Sequence, residues 1–304
     1  MRKYCAFFPI IIFFAFFTTS ISGGSSVELQ QSGRHGDFAW EMLGNRITIT
    51  RYHGTGRAVT IPSEINRVPV TIIGNEAFAD TKLTSVTIPN TVTSIGNRAF
   101  SRNELTSISI PGSVTSIGNR AFSANELTSV AIPSSVTSIG EGAFLLNRLT
   151  RVIIPNSVTS IGNWAFRENQ LSSITIPSSV TSIGEGVFFR NRLTSINIPS
   201  SVTSIGDWSF RENQLTSITM PNSVTSIGVS AFRENKLSNV TIPGNVISIG
   251  SGAFFNNQLI SIAIGANVTL GTFGDGFETA YTSNRRSAGT YTRPDASSRA
   301  WTLQ

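Results

Sequence analysis

Cysteine is almost missing from this 304-residue chain: the only one is Cys5. If the first 22 residues are removed, none remains, so disulfides and thiolate chemistry are excluded and stability must come from packing. Histidine is nearly as scarce, with His35 and His53 alone and no metal-ligand spacing between them. The few acids are isolated or sit in turns, and no carboxylate pair is evident. Gly-rich phosphate loops and nucleophile elbows are absent, and the many serines have no base beside them. No catalytic, cofactor-binding or metal residue is assigned, and neither an enzyme nor a cofactor is expected. Lysine is also rare: beyond residue 22 only Lys82 and Lys236 occur, and arginine, suited to bidentate pairing and aromatic stacking, does the rest. The formal charge is +6; without Arg2 and Lys3, 21 basic residues face 17 acids, a net of +4. That excess is too mild and too scattered for a nucleic-acid partner.

There is one long apolar run, residues 6–17, preceded by Arg2 and Lys3 and followed by small polar residues up to Ser22. This reads as a secretory signal peptide with cleavage after Ser22. The run is short for a bilayer crossing, so no membrane span is expected after cleavage. The alternative is an uncleaved anchor.

What the chain does have is a repeat. Residues 83–104, LTSVTIPNTVTSIGNRAFSRNE, recur with a period of 22: the closing phenylalanine falls at 78, 100, 122, 144, 166, 188, 210, 232 and 254. A fixed period of this length is the mark of a solenoid. Within one copy, Leu83, Val86 and Ile88 alternate as in a strand, Pro89 ends it, and Val92 and Ile95 begin a return leg. Gly96 is expected to supply a backbone angle that other residues avoid. Ala99 and Phe100 plug the interior from a short turn or 3₁₀ segment. One coil cannot enclose these side chains, so its neighbours must.

Several columns follow from the period. Asn103, Asn125, Asn147, Asn169, Asn191, Asn213, Asn235 and Asn257 read as a structural ladder, each amide serving its own turn and the next. The outward strand positions form a Ser/Thr face broken by Arg151 and Ile153, with Asn197 two coils on and Arg148 and Arg192 at strand starts nearby. These make a candidate protein-binding spot, against the alternative of drift on a tolerant face. Trp164 and Trp208 are the exposed-aromatic candidates. The alternative is packing: each has an arginine three residues on (Arg167, Arg211), as expected of an i, i+3 cation–π pair on a helical turn. Where glycine replaces tryptophan, Leu145, Phe189 or Phe255 stands three residues later and is expected to fill the space above it. Coil spacing puts the two tryptophans roughly 10 Å apart.

The motif Leu105-x-x-Ile108-x-Ile110-Pro111-x-x-Val114-x-x-Ile117-Gly118-x-x-Ala121-Phe122 resembles the BspA-like, or Treponema pallidum-type, leucine-rich repeat. Where many members carry cysteine near the end of the coil, this chain has asparagine. The resemblance implies a bacterial surface or secreted protein with a curved parallel sheet on one face and short strands or 3₁₀ turns on the other. It also implies a protein ligand, such as extracellular matrix or another cell-surface protein. The C-terminal tail resembles those of spirochaete repeat proteins.

The expected organisation is therefore a signal peptide (1–22), a leader and N-terminal β-hairpin cap (23–58), leucine-rich repeats (59–264) and an irregular C-terminal cap (265–304). The hairpin is expected to turn at Gly44-Asn45. About nine coils are expected. The function expected is an exported, non-catalytic, adhesin-like binding module; the alternative is an envelope assembly protein acting by self-association.

Overall fold

The computed structural model describes residues 30–304, so the signal segment and most of the leader lie outside the described residues. Each coil has three sides. The first leg carries three-residue strands such as Ser129–Ala131 and Arg151–Ile153, paired in parallel one coil apart. The second leg carries two-residue strands such as Ser94–Ile95, Ser116–Ile117 and Ser138–Ile139, also parallel and in register. A closing turn with no helical residues leads back to the next first leg. Parallel pairing therefore runs along two sides, and it is more continuous on the second leg. First-leg strands pair only in twos, the last of these pairs continuing into the C-terminal strands.

The interior is one apolar column, with leucine, valine, isoleucine and phenylalanine of every coil buried. The phenylalanines stack nearly parallel, for example Phe100 on Phe122 at 5.4 Å and Phe144 on Phe166 at 5.6 Å. Offset stacking adds to the area each ring buries. The stack runs past both ends of the repeat, onto Tyr52 at 5.6 Å and onto Phe273 at 5.8 Å.

Asparagine closes each coil. The Asn169 amide nitrogen donates to the carbonyls of Phe144 (2.9 Å) and Phe166 (3.1 Å), while its oxygen accepts the Leu149 amide at 3.0 Å. The same bonds recur at Asn103, Asn125, Asn147, Asn191, Asn213 and Asn235, and at Asn257. The coil they reach is the preceding one, not the following one as expected.

The glycine after each second-leg isoleucine has another role than expected. Its φ is not positive; a Cβ there would instead stand 2.6 Å from backbone of the preceding coil at Gly118 and 2.5 Å at Gly140. Glycine is needed because neighbouring backbones approach too closely for any side chain. The left-handed positions lie elsewhere, two residues later (Arg98, Arg120, Trp164, Trp208) and just before asparagine (Arg102, Leu146, Glu168, Glu212), mostly on non-glycine residues.

The ends differ from the repeats and from expectation. The expected hairpin is present, with β2 (Phe38–Leu43) and β3 (Arg46–Tyr52) turning at Gly44-Asn45, but a further strand, β1 (Gln30–His35), pairs with β2. The strand β3 then pairs in parallel with Val68–Ile73, converting an antiparallel meander into the solenoid ladder. The inserted residues before the first full coil form a small hairpin, with Asn66 and Arg67 at φ 52° and 65°. Both positive angles suit the right-handed twist of its strands. At the other end the pattern decays but one shortened coil remains, Thr269–Leu270 pairing with Ser248–Ile249. The cap is α1 (Phe277–Ser283) with two antiparallel strands, Gly289–Thr292 and Thr302–Leu303. Tyr281 Oη donates to Gly265 O at 2.6 Å and accepts the Val268 amide. The buried Arg293 guanidinium donates to the carbonyls of Leu259 and Ser298, lies 3.3 Å from Asp275 and stacks on Trp301.

Replacing Asn169 with alanine leaves the carbonyls of Phe144, Phe166 and Arg167 and the Leu149 amide without this partner, and is expected to cost about 3 kcal/mol or more in denaturant unfolding. Asn169→Asp keeps the acceptor but loses the donors, and is expected to recover only part of that loss. Gly118→Ala, at the close approach, is expected to destabilise as well, although alanine normally favours the folded state elsewhere.

Candidate functional site

The sequence-derived candidates fall on two sides of the coil. Arg151 and Ile153 are exposed in one first-leg strand, with Ile153 51% exposed among serines, threonines and alanines. Asn197 occupies the same outward column as Ile153 two coils on, in Ser195–Asn197. Arg148 is exposed at the start of its leg and pairs with Glu126 at 3.1 Å. Among the described residues, Arg151 and Arg192 are within ion-pair distance of no acid. This side thus combines a bare aliphatic side chain with two free guanidinium groups.

Trp164 and Trp208 lie on the closing-turn side and are not brought together with Arg151 and Ile153. Their rings are 5.6 Å apart, not the roughly 10 Å that coil spacing implied, because the Trp164 ring leans across Gly186 of the coil between them. A Cβ on Gly186 would fall 1.9 Å from that ring. The glycine is therefore vacated for the tryptophan of the preceding coil, and not for Phe189 as the pairing of columns suggested. Arg167 stacks on Trp164 at 5.1 Å, as expected of that pair. Arg211 does not stack on Trp208; it faces the Phe189 ring at 5.5 Å and binds Glu212 and Glu234 at 3.2 Å. The two turns share the same left-handed start, so the difference lies in the neighbours: Glu212, Glu234 and the Phe189 ring hold the Arg211 guanidinium away from Trp208.

Around Phe189 the closing turns form a chain of contacts across coils. Arg167 and Arg190 each stand 5.1 Å over its ring. Arg190 binds Glu212 at 2.8 Å and Glu168 at 3.6 Å, and the Glu212 hydrogen bond and charge, then Glu168, raise the guanidinium pKa above its ordinary value. Arg233 continues the chain to Glu234 at 3.0 Å and to the Phe255 ring at 4.9 Å. Trp208, 36% exposed, is the open aromatic surface at this edge.

Two features here escaped the sequence reading. Leu146, 47% exposed, occupies a left-handed position at φ 56° and, with Leu145, walls a depression of about 370 Å³ floored by Ala79, Ser101, Ser123 and Ala124. Its signal was leucine in a column otherwise of aspartate, arginine, alanine, glutamate and asparagine. The second is an outer ladder: the side-chain oxygens of Asn75, Asn97 and Asn119 each accept the amide one coil later at 2.8 Å, as do Asn163 and Asp207. That column was visible as the residue after each glycine.

No group of three or more histidines, cysteines, aspartates or glutamates among the described residues is placed to hold a metal. No helix among them is long and apolar enough to cross a membrane. With coils in parallel register around an apolar column, and sequence variation concentrated in outward columns, the fold defines a leucine-rich-repeat solenoid, a scaffold for protein interaction. The chain belongs to the family described as "BspA type Leucine rich repeat region", whose model matches residues 71–192 and 166–273 in six copies. No curated protein matches it significantly.

Among solved structures, it is similar to a leucine-rich repeat protein from Bacteroides ovatus, at 24% identity and a TM-score of 0.61 over 83% of this chain and 67% of that one. A Treponema pallidum leucine-rich repeat protein shares 26% identity over 66% of this chain and 88% of its own, with a TM-score of 0.46. The pneumococcal vaccine antigen PcpA shares 20% over 79% and 85%, with a TM-score of 0.48.

A double-mutant cycle for Trp164 and Arg167 is expected to return a coupling of about 0.5–1 kcal/mol, and one for Trp208 and Arg211 almost none. Gly186→Ala is expected to displace the Trp164 ring and shift tryptophan fluorescence to longer wavelength. Unchanged emission would mean the ring does not cover that glycine.

Proposed function

We propose that this chain is an exported, adhesin-like module that binds a protein of the host matrix or of a neighbouring cell through its first-leg face. The observation that carries this reading is Ile153, half exposed beside Arg151 in a column otherwise of threonine, serine, alanine and asparagine. Arginine is among the residues enriched at interface hot spots, and the exposed isoleucine beside it adds apolar area that a partner can desolvate. Arg192 and Asn197 extend the site across two further coils, roughly 10 Å, so the complementary partner surface is acidic around an apolar knob. Export rests on the signal-like residues 1–22. End-to-end self-association is disfavoured because both ends of the apolar column are covered, by β1–β3 at one end and by α1 with its strands at the other.

Two measurements test the proposal. Protease shaving of intact cells, beside a periplasmic control, is expected to remove the repeats while the control survives. Protection until the outer envelope is broken would exclude adhesion. Arg151→Ser with Ile153→Thr restores the composition of the neighbouring coils. This pair is expected to weaken binding of matrix or cell-surface protein at least tenfold, about 1.4 kcal/mol, with an unchanged melting temperature. Undiminished binding would move the site to another face.

A further inference from the structure

The second-leg ladder is regular at every coil boundary but one. At the other boundaries the second-leg amide, of threonine or of Ile247, donates to the carbonyl one coil earlier, as Thr159 does to Thr137 and Thr203 to Thr181, both at 2.9 Å. The glycine amide does the same, Gly162 to Ile139 at 2.8 Å and Gly206 to Ile183 at 2.7 Å. Between these coils both bonds are missing: the Thr181 amide does not reach Thr159, nor the Gly184 amide Ile161. The strands Ser160–Ile161 and Ser182–Ile183 are unpaired with each other, so one sheet ends and another begins there.

Independent observations mark the same boundary. Phe166 to Phe188 is 5.9 Å, the widest step between repeat phenylalanines, the others lying between 5.1 and 5.6 Å. Ile161 is 9% exposed, where its equivalents Ile139 and Ile205 are 2%. A Cβ on Gly184 would stand 3.6 Å from the nearest backbone atom, against 2.5 Å at Gly162 and 2.7 Å at Gly206. A polar depression of about 570 Å³ opens over the gap, lined by Ser138, Ser160, Ser182, Asn163 and Glu141 among others.

The closing-turn side stays joined. Trp164 N donates to Glu185 O at 2.8 Å, Phe166 N to Val187 O at 3.0 Å and Glu168 N to Phe189 O at 2.9 Å. The Trp164 ring crosses the boundary over Gly186 to meet Trp208, and the Arg190 bridge to Glu168 spans it as well.

We infer that the solenoid is two rigid blocks hinged between the coils of Ile161 and Ile183, opening on the second-leg side. The pivot is the closing-turn side, where the Trp164 ring acts as a strap. A repeat array opens where its nearest-neighbour interface is weakest, and this interface lacks hydrogen bonds that every other second-leg boundary has. Ile153 and Arg151 belong to one block, Arg192 and Asn197 to the other. The hinge therefore lets the spacing of the two halves of the first-leg site adjust to a partner. That consequence rests on the binding reading above, whereas the hinge itself does not.

Amide hydrogen exchange on the intact protein tests it. Thr181 and Gly184 are expected to exchange about tenfold or more faster than Thr159, Gly162, Thr203 and Gly206, a ratio that one ordinary missing hydrogen bond provides. Equal protection at all six would overturn the hinge. Trp164→Ala is expected to raise exchange at Thr181 and Gly184 while leaving Thr93 and Gly96 unchanged. A uniform rise along the stack would overturn the strap and the two-block description together.

Discussion

Everything in this molecule depends on one constraint: each repeat coil between the caps must lie in 22-residue register on the one before it. A single coil has no partner within itself for the backbone amides and carbonyls on its two edges. The next coil supplies them, residue for residue, and the same stacking brings phenylalanine over phenylalanine. A one-residue slip would turn apolar side chains outward and leave buried carbonyls unpaired. The invariant period is thus a physical requirement, shared by the glycine that admits the neighbouring backbone and the asparagine that bonds it.

That arrangement carries a local cost. Two positions in most closing turns adopt left-handed angles on residues with side chains, among them Arg98, Trp164, Leu146 and Glu212. Each such residue costs of order 1 kcal/mol. The cost is tolerated because the tight turn places asparagine where it bonds several backbone groups at once, and because neighbouring turns lock each other. Arginine at these positions gains a carboxylate from a neighbouring coil, as Arg98 does with Glu76 at 3.1 Å. Such exposed pairs contribute little individually, but they set the surface chemistry of that side.

Stability and function are therefore written in different columns. Inward columns barely vary; outward columns vary freely, so side chains such as Arg151 and Ile153 replace the usual serine or threonine without disturbing the core. The same freedom permits a weak boundary, since the stack tolerates one poorly bonded interface when the adjoining turns and rings remain continuous.

The period, the inward columns, the asparagine ladder and the capped ends were legible in the sequence, because each repeats or breaks at a fixed spacing. Legibility stopped at interactions that cross coils with side chains of unequal length. Trp164 reaches over Gly186 and Arg211 chooses Phe189 over Trp208 because of side-chain reach and left-handed turns, which no column pairing encodes. The role of the coil glycine was misread for a similar reason: close backbone approach and a positive φ leave the same residue in a sequence. By itself the sequence determined a stack of identical, mutually dependent coils, since only one register buries every apolar column. Tertiary structure alone decided which coil boundary is open and which exposed side chains share a face. Those depend on small differences in packing between near-identical copies.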